Sequence, residues 1–176
     1  NKNYISKSII QKDKGIYDAM NKGIEISSGR WIIFLNSGDI FYNDHVLMDF
    51  SSNSFLDSDI VYGDAIVQFE KLKYLSISEK LKNESLLMPF CHQSVFVKSK
   101  ILKEKKFSLE YKFSADFEFF FSCLLMKKNF QKFNKIISQV KSGGSSDKNR
   151  QTVFNENIDI IKKNANSKHY YKLYYI

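Results

Sequence analysis

The chain has 176 residues, of which 43% are hydrophobic and 15% aromatic, so it is long and apolar enough for one globular domain. This composition argues against a disordered chain, and the apolar runs are too short for a transmembrane helix. The formal net charge of +8 lies entirely beyond residue 100, because acidic and basic residues balance before it. This basic third indicates either an anionic partner or an ordinary solvated surface rich in lysine.

Two further features of the whole chain bear on its partners and compartment. The cysteines Cys91 and Cys123 are far apart and match no metal-binding spacing, so we expect free thiols in a reducing, cytoplasmic compartment. A nucleic-acid-reading motif is missing from the sequence, and we therefore expect no nucleic acid partner. The chain begins with Asn1, which suggests a processed product or a fragment.

Apolar periodicity predicts strands that alternate with helices. A first helix follows Gly15, with Asp13 as a candidate N-cap, and Trp31–Leu35 is apolar on both faces, as in the middle of a parallel sheet. This alternation predicts an α/β fold with a mostly parallel sheet flanked by helices. The remaining predicted elements are a short segment at Ile5–Ile10, a helix at His45–Phe50, strands at Asp59–Val67 and Gln93–Val97, a helix at Asp116–Met126, a strand at Phe133–Val140, a helix at 152–165 and a tyrosine-rich helical tail.

The strand at Trp31–Leu35 ends in a polar cluster, Asn36, Ser37, Gly38 and Asp39. Ligands of open α/β sheets bind at the carboxyl ends of strands, where this cluster lies. Asp39 could hold a divalent cation that neutralises a diphosphate, with Asn36 or Ser37 bonded to a sugar or a metal-bound water. The alternative is an ordinary polar turn in which Asp39 caps the next helix.

Two later segments carry further candidates. Asp116 opens an apolar helix, where it is either a general base or an N-cap, and Glu118, two positions on, should point away from it. The segment His92, Gln93 and Ser94 could line an acceptor pocket or touch a metal, whereas a lone histidine is commonly structural. No nucleophile-elbow motif supports a serine triad.

The loop before the first helix is a weaker candidate. Asp13 and Lys14 precede that helix and Asn21 lies within it, and Lys14 either meets a phosphate at the helix N-terminus or is simply solvated. The sequence has neither a Walker loop nor a G-x-G-x-x-G motif, which argues against P-loop and Rossmann dinucleotide chemistry.

Four motifs together resemble glycosyltransferase family 2, the GT-A-type nucleotide-sugar transferases, and especially bacterial enzymes of colanic acid, capsule and O-antigen assembly. The resemblance covers roughly residues 10–145. The motifs, in the order that this family shows, are DKGIYDAMNKGIEISSGRWIIFLNSGD at 13–39, VYGD at 61–64, MPFCHQSVFVK at 88–98 and ADFEFF at 115–120.

The resemblance implies a role for each candidate residue. Asp39 stands where the family has the last acid of its metal motif, with Asn36 in place of an earlier aspartate, so that a Mg²⁺ or Mn²⁺ ion would rest on one carboxylate and the diphosphate. Asp116 stands where the family has its catalytic base for an inverting transfer. Donor binding is implied for Asp13, Lys14, Asn21, Asn36, Ser37 and Gly38, and acceptor binding for His92, Gln93, Ser94 and Glu118.

The resemblance also predicts the wider setting. The family begins with a strand–helix–strand unit that binds the nucleotide, and this unit is missing before Asn1. We therefore expect weak or no transfer by this chain alone. We also expect a sheet edge that is exposed or covered by a homodimer. Residues 1–145 would then be the later part of a GT-A-like catalytic domain, and residues 146–176 a basic, tyrosine-rich helical extension. The implied function is transfer of a sugar from a nucleotide-sugar donor to a saccharide or lipid-linked acceptor in surface polysaccharide biosynthesis, at the inner face of the cytoplasmic membrane if the basic tail binds its surface. The alternative is an inactive fragment that acts as a binding or membrane-surface module.

Overall fold

A computed structural model describes residues 5–83 and 85–164. Its helices are α1 (Ile16–Ile26), α2 (Val46–Ser52), α3 (Ser99–Glu104), α4 (Ala115–Leu125), α5 (Ser145–Lys148) and α6 (Arg150–Asn164). Its strands are β1 (Trp31–Ile32), β2 (Ile40–Phe41), β3 (Ile60–Phe69), β4 (Leu72–Ser76), β5 (Val95–Lys98) and β6 (Phe130–Lys141). Across these ranges, no helix is long and apolar enough to cross a bilayer. The predicted tyrosine-rich tail lies outside the described residues.

The strands form one mixed sheet in the order β1-β5-β3-β6-β2, with β4 paired to β3 as a hairpin. Among the described strand pairs, β3 with β6 is parallel and the others are antiparallel. The prediction of a mostly parallel sheet is therefore wrong. Its basis was the alternation of strands with helices along the chain, which does not fix the direction in which neighbouring strands of the sheet run.

The segment from Trp31 to Leu35 is not in the middle of the described sheet. Only its first two residues form β1, which pairs with β5 alone and ends the sheet on that side. The segment is apolar on both faces because its side chains alternate between two hydrophobic clusters, with Ile32 and Phe34 packed on one and Trp31 and Ile33 on the other. The prediction of two covered faces is confirmed, whereas the prediction of a central position is wrong.

The larger cluster holds the helices that carry the candidate site. Helix α4 contributes the fully buried Phe119 and Phe121, and α6 covers the same cluster with Ile160 and Ile161. Helix α1 adds Ile24, which is also fully buried. Three helices are thus packed against one face of the sheet.

Two local predictions need correction. Helix α1 has Gly15 as its N-cap residue, and Asp13 instead accepts a hydrogen bond from the Gly15 amide at 3.0 Å. The strand expected from Gln93 begins at Val95, because His92–Ser94 form a single 3₁₀ turn. That turn brings the side chains of His92 and Gln93 beside Asn36 and Asp39.

Candidate functional site

Asp39 is held in place by backbone and side-chain donors from three segments. Its own amide donates to the Asn36 carbonyl at 2.9 Å, and Gly38 between them has a φ of +93°, which favours glycine. Asp39 Oδ1 accepts from the Lys141 amide at 3.2 Å. Asp39 Oδ2 accepts from the Asn36 amide at 3.2 Å and from Gln93 Nε2 at 3.1 Å. The carboxylate therefore joins the turn formed by Asn36–Asp39, called the polar turn below, to the 3₁₀ turn and the end of β6.

The orientation of Gln93 is fixed in turn by Cys91. The Cys91 thiol donates to Gln93 Oε1 at 2.8 Å, which leaves the amide nitrogen directed at Asp39. Burial raises the pKa of Cys91 to about 12, and the nearby charges of Asp39 and Asp116 act in the same direction. The thiol therefore stays protonated at neutral pH and remains a hydrogen-bond donor.

His92 links the polar turn to helix α4. Its Nδ1 lies 2.8 Å from Asp116 Oδ2, and its Nε2 lies 3.3 Å from Asn36 Nδ2. Because the Asn36 nitrogen is a donor, Nε2 is the acceptor and the ring proton sits on Nδ1, directed at Asp116. The His92 and Asp116 side chains are 24% and 15% exposed, so both can be reached from solvent.

Asp116 is not the N-cap of α4. Ser114 holds that position, and Asp116 is the second residue of the helix. Its Oδ1 accepts from the Phe117 amide at 2.9 Å and lies 2.9 Å from the Tyr17 hydroxyl. Burial alone would raise the pKa of Asp116, but the hydrogen bonds and charge of His92, with those of Tyr17 and Phe117, hold it below its ordinary value.

The VYGD segment in β3 packs against β6 and forms a hydrogen bond to the 3₁₀ turn. Gly63 lies against β6, where an added Cβ would stand 2.7 Å from the Lys135 carbonyl oxygen. Asp64 accepts from the Ser78 amide at 2.8 Å and from its hydroxyl at 2.7 Å. The Ser94 hydroxyl donates to the Asp64 carbonyl at 3.0 Å. Strand β3 thus anchors both the segment that follows β4 and the turn that carries His92.

The structure brings together Asn36, Asp39, His92, Gln93 and Asp116, with Ser37 and Gly38 in the same turn. Other predicted site residues have separate partners. Ser94 is fully buried and bonded to Ser138 at 2.6 Å, and the Asn21 side chain pairs with both backbone groups of Phe107. Glu118 binds Lys105 at 2.9 Å and Ser122 at 2.9 Å. Asp13 and Lys14 are exposed beside the start of α1.

Two residues of the site were not predicted from the sequence. Tyr17 contacts Asp116, but it lies on the apolar face of an amphipathic helix. The sequence pattern there does not distinguish a site residue from an ordinary core residue. Lys141 is the last residue of β6 and lies in a lysine-rich region. Its Nζ lies 3.9 Å from where a Cβ on Gly38 would stand, and it makes no hydrogen bond or ion pair with the described residues.

A cation at this edge would need oxygen ligands from a substrate in addition to those of the protein. Residues 5–83 and 85–164 contain no group of three histidine, cysteine or acidic side chains placed to hold a metal ion. Asp39 is the carboxylate of the polar turn, and three N–H groups already bond to its two oxygens. Mg²⁺ is commonly held by one or two carboxylates with substrate phosphates supplying further oxygens, and Asp39 could contribute to such a site.

Comparisons with known proteins show similarity to glycosyltransferases. No protein-family profile matches the sequence. Proteins named PGL/p-HBAD biosynthesis glycosyltransferase from Mycobacterium bovis and Mycobacterium tuberculosis are 29% identical over 114 residues, which cover 63% of this chain and 44% of each relative. The match thus spans less than half the length of these curated relatives.

A solved structure shares the fold. The crystal structure of S. aureus TarS 1-349 in complex with UDP matches with a TM-score of 0.56 and 16% sequence identity, over 87% of this chain and 47% of that one. At this identity the match supports the fold, a mixed α/β architecture, and the function must be argued from the site.

Proposed function

We propose that this chain carries the catalytic part of an inverting glycosyltransferase of the GT-A type. The enzyme would move a sugar from a nucleotide-sugar donor to a saccharide or lipid-linked acceptor in surface polysaccharide biosynthesis. The observation that carries the proposal is the continuous network from Asp39 through Asn36 and His92 to Asp116, which joins segments far apart in sequence at one edge of the sheet. The sequence similarity to glycosyltransferases and the fold shared with a UDP-bound protein support it.

The two ends of this network suit the two halves of a transfer reaction. The Asp39 end has the tight turn of Ser37 and Gly38 and the ammonium of Lys141, which has no partner in the part of the chain that the structure describes; both suit a donor diphosphate. Asp39 would hold a Mg²⁺ or Mn²⁺ ion together with the donor's phosphate oxygens, and such an ion neutralises the charge on a departing diphosphate. Asn36 lies between this end and His92.

The other end suits acceptor activation. An acceptor hydroxyl must lose a proton as it attacks the anomeric carbon, and the His92–Asp116 pair offers basic atoms that are partly open to solvent. Gln93 is bonded to Asp39 and borders both ends. In this arrangement the hydroxyl approaches from one side of the sugar while the diphosphate leaves from the other, which gives inversion.

A transfer assay tests the proposal. The full-length gene product is incubated with a panel of nucleotide sugars, Mg²⁺ or Mn²⁺, and saccharide and lipid-linked acceptors, and the product's anomeric configuration is read by NMR. We expect one donor to give a product of inverted configuration. A folded protein that transfers sugar from no donor, or a product of retained configuration, would contradict the proposal.

A further inference from the structure

The hairpin of β3 and β4 carries a concentration of exposed apolar side chains. Phe69, Leu72, Tyr74, Leu75 and Ile77 are between 47% and 71% exposed. Single exposed apolar residues are ordinary on protein surfaces, whereas a contiguous group marks a surface that another body covers. Residues 69–77 are called the apolar hairpin below.

Strand pairing places three of these side chains in one row. Phe69 lies opposite Leu72, and Val67 lies opposite Tyr74. Residues opposite each other in an antiparallel pair share a face, and residues two apart in one strand share it as well. Phe69, Leu72 and Tyr74 therefore lie together on one side of the sheet.

The outer edge of β4 is open. Among the described residues, β4 pairs with β3 alone. An exposed apolar edge strand tends to pair with another chain, and lysines on such a strand oppose that pairing. Lys71 and Lys73 alternate with Leu72 and Tyr74 here. Two copies joined along β4 would thus bring lysines of both copies together.

The charges of the hairpin suit an anionic surface. Lys71 and Lys73 are exposed, and so is Lys141 at the end of the neighbouring β6. Within residues 5–83 and 85–164, the Lys71 and Lys141 ammonium groups have no hydrogen bond or ion pair, and that of Lys73 donates to the neutral Gln139 at 3.0 Å. Glu70, in the turn, is the acidic residue of the hairpin.

We propose that the apolar hairpin docks on the surface of a lipid bilayer that contains anionic lipids. The row of Phe69, Leu72 and Tyr74 enters the headgroup region, and the lysines beside it contact anionic headgroups. Elements that bind at the membrane interface combine apolar and aromatic side chains with lysines in this way. A bilayer fits better than a second copy, because its headgroups neutralise the lysines that a second copy would repel.

The candidate site lies beside the hairpin. Gln68 pairs in parallel register with Lys141, and the Ser142 amide donates to the Gln68 carbonyl at 2.9 Å. The Lys141 amide in turn donates to Asp39 at 3.2 Å. A docked hairpin therefore holds the Asp39 end of the site near the lipid surface. Docking does not depend on the proposed function, but where that function holds it favours a lipid-linked acceptor over a soluble saccharide.

Vesicle co-sedimentation of the full-length protein tests the proposal. The probes are vesicles of phosphatidylcholine alone and of phosphatidylcholine and phosphatidylglycerol in equal parts. We expect binding to the mixed vesicles, and Leu72→Ser/Tyr74→Ser should weaken it about 10-fold or more, because two apolar side chains no longer leave water. Leu56→Ser/Leu109→Ser, at two exposed leucines outside the hairpin, is the matched control and should bind within about 2-fold of wild type.

A second pair of variants tests the charges. Lys71→Gln/Lys73→Gln should weaken binding to the mixed vesicles about 10-fold and reduce its dependence on salt. Lys100→Gln/Lys106→Gln removes the same charge away from the hairpin and should cost about 2-fold at most, because salt screens distant charges. Equal losses in the two pairs would contradict a contact at the hairpin.

Fluorescence reports the contact directly. With mixed vesicles added, Tyr74→Trp should gain a blue-shifted emission over wild type, whereas Leu109→Trp should not. An unshifted Tyr74→Trp in a protein that binds vesicles would overturn the proposal, as would equal binding by Leu72→Ser/Tyr74→Ser and its control, or no wild-type binding to mixed vesicles.

Two further outcomes separate the alternatives. If light scattering without vesicles shows a wild-type dimer that Leu72→Ser/Tyr74→Ser splits into monomers, the hairpin is an interface between copies and the proposal is wrong. None of these measurements needs sugar transfer. Vesicle binding through the hairpin by a protein that transfers no sugar would therefore support this proposal and count against the proposed function alone.

Discussion

At the scale of single residues, the site depends on hydrogen bonds that each fix the next side chain. Cys91 orients Gln93, Gln93 reaches Asp39, and Asp39 is held by backbone amides of Asn36 and Lys141. Such chains orient a functional group more closely than packing alone, because each hydrogen bond restricts the side chain that makes the next one.

Tyr17 offers a test of this chain at its far end. Tyr17→Phe removes the hydroxyl that lies 2.9 Å from both Asp116 and the Phe113 carbonyl. We expect it to lower the free energy of unfolding by about 1 kcal/mol and to lower kcat, since Asp116 loses one of the groups that orient it. Urea unfolding and a transfer assay measure the two effects. Phe117→Leu, a core change on the same helix, is the control that should lower stability without changing the pH dependence of kcat.

At the scale of elements, β3 and β6 control where the site residues meet. Their parallel pairing contains register shifts around Gly63, where the two backbones approach closely. Asp64 lies between the two register shifts; its carboxylate accepts a hydrogen bond from Ser78, and its carbonyl accepts one from Ser94. The position of the His92 turn therefore depends on a glycine in β3, with β4 between them in the chain.

Gly63→Ala should be strongly destabilising. The added Cβ would stand 2.7 Å from Ile137 Cδ1 and from the Lys135 carbonyl oxygen, and a backbone atom cannot move aside as a flexible side chain can. We expect a loss of about 2–4 kcal/mol in the free energy of unfolding.

Gly23→Ala is the matched control for this change. Gly23 lies within α1 with nothing within 4 Å of an added Cβ, so alanine should raise stability by about 0.5–1 kcal/mol. Chemical denaturation of the three proteins measures both effects, and equal stability of Gly63→Ala and wild type would show that β3 and β6 are not so closely packed.

Sequence patterns predicted the type of each element more accurately than the contacts between the elements. The helices around Met20 and Phe120 and the strand around Val61 were predicted close to where they lie, because their apolar period reflects burial directly. Strand direction could not be read from Val95–Lys98, since a strand covered on both faces has the same pattern whichever way it runs.

In the candidate site, too, the residues were predicted better than the contacts between them. His92 and Asp116 were both predicted from their residue types and motifs, but no spacing in the sequence states that one donates to the other. Glu118 and Ser94 were assigned to the acceptor side by neighbourhood, whereas in the fold they bond to Lys105 and Ser138. Such contacts depend on tertiary packing between segments that are remote in the chain.

At the scale of the whole molecule, the described chain is a mixed sheet with helices on both faces and a polar edge. The β1 end of the sheet is paired on one side only within the described residues. Coverage of that edge by a homodimer, contact of the basic C-terminal third with a membrane surface, and a cytoplasmic location remain predictions. The curated relatives extend well beyond the matched region, so the assays proposed above use the full-length gene product.

Acid should destabilise the fold through Asp64 and Asp116. The pKa of each is lowered in the folded chain: burial opposes this, while Ser78 and Lys132 favour the ionised form of Asp64, and His92, Tyr17 and Phe117 favour that of Asp116. A group whose folded pKa is lowered contributes its stability above the unfolded pKa, about 4, and loses it as the pH falls through the folded value. We therefore expect the urea midpoint to be steady from about pH 7 to 5 and to fall below about pH 4. Asp64→Asn should show a smaller fall than wild type, and an equal fall in both would show that Asp64 is not involved.

The most direct test of the central claim is the initial rate of sugar transfer by the full-length protein with Asp39→Asn and, beside it, Asp49→Asn. Asp39 lies in the network that joins the polar turn to His92, whereas Asp49 pairs with Lys135 at 3.3 Å on a different part of the surface. If the polar edge is the transfer site, Asp39→Asn lowers the rate about 100-fold or more, because the carboxylate that would hold the cation at the departing diphosphate is lost, and Asp49→Asn leaves the rate within about 2-fold. Equal rates in the two folded variants would contradict the account.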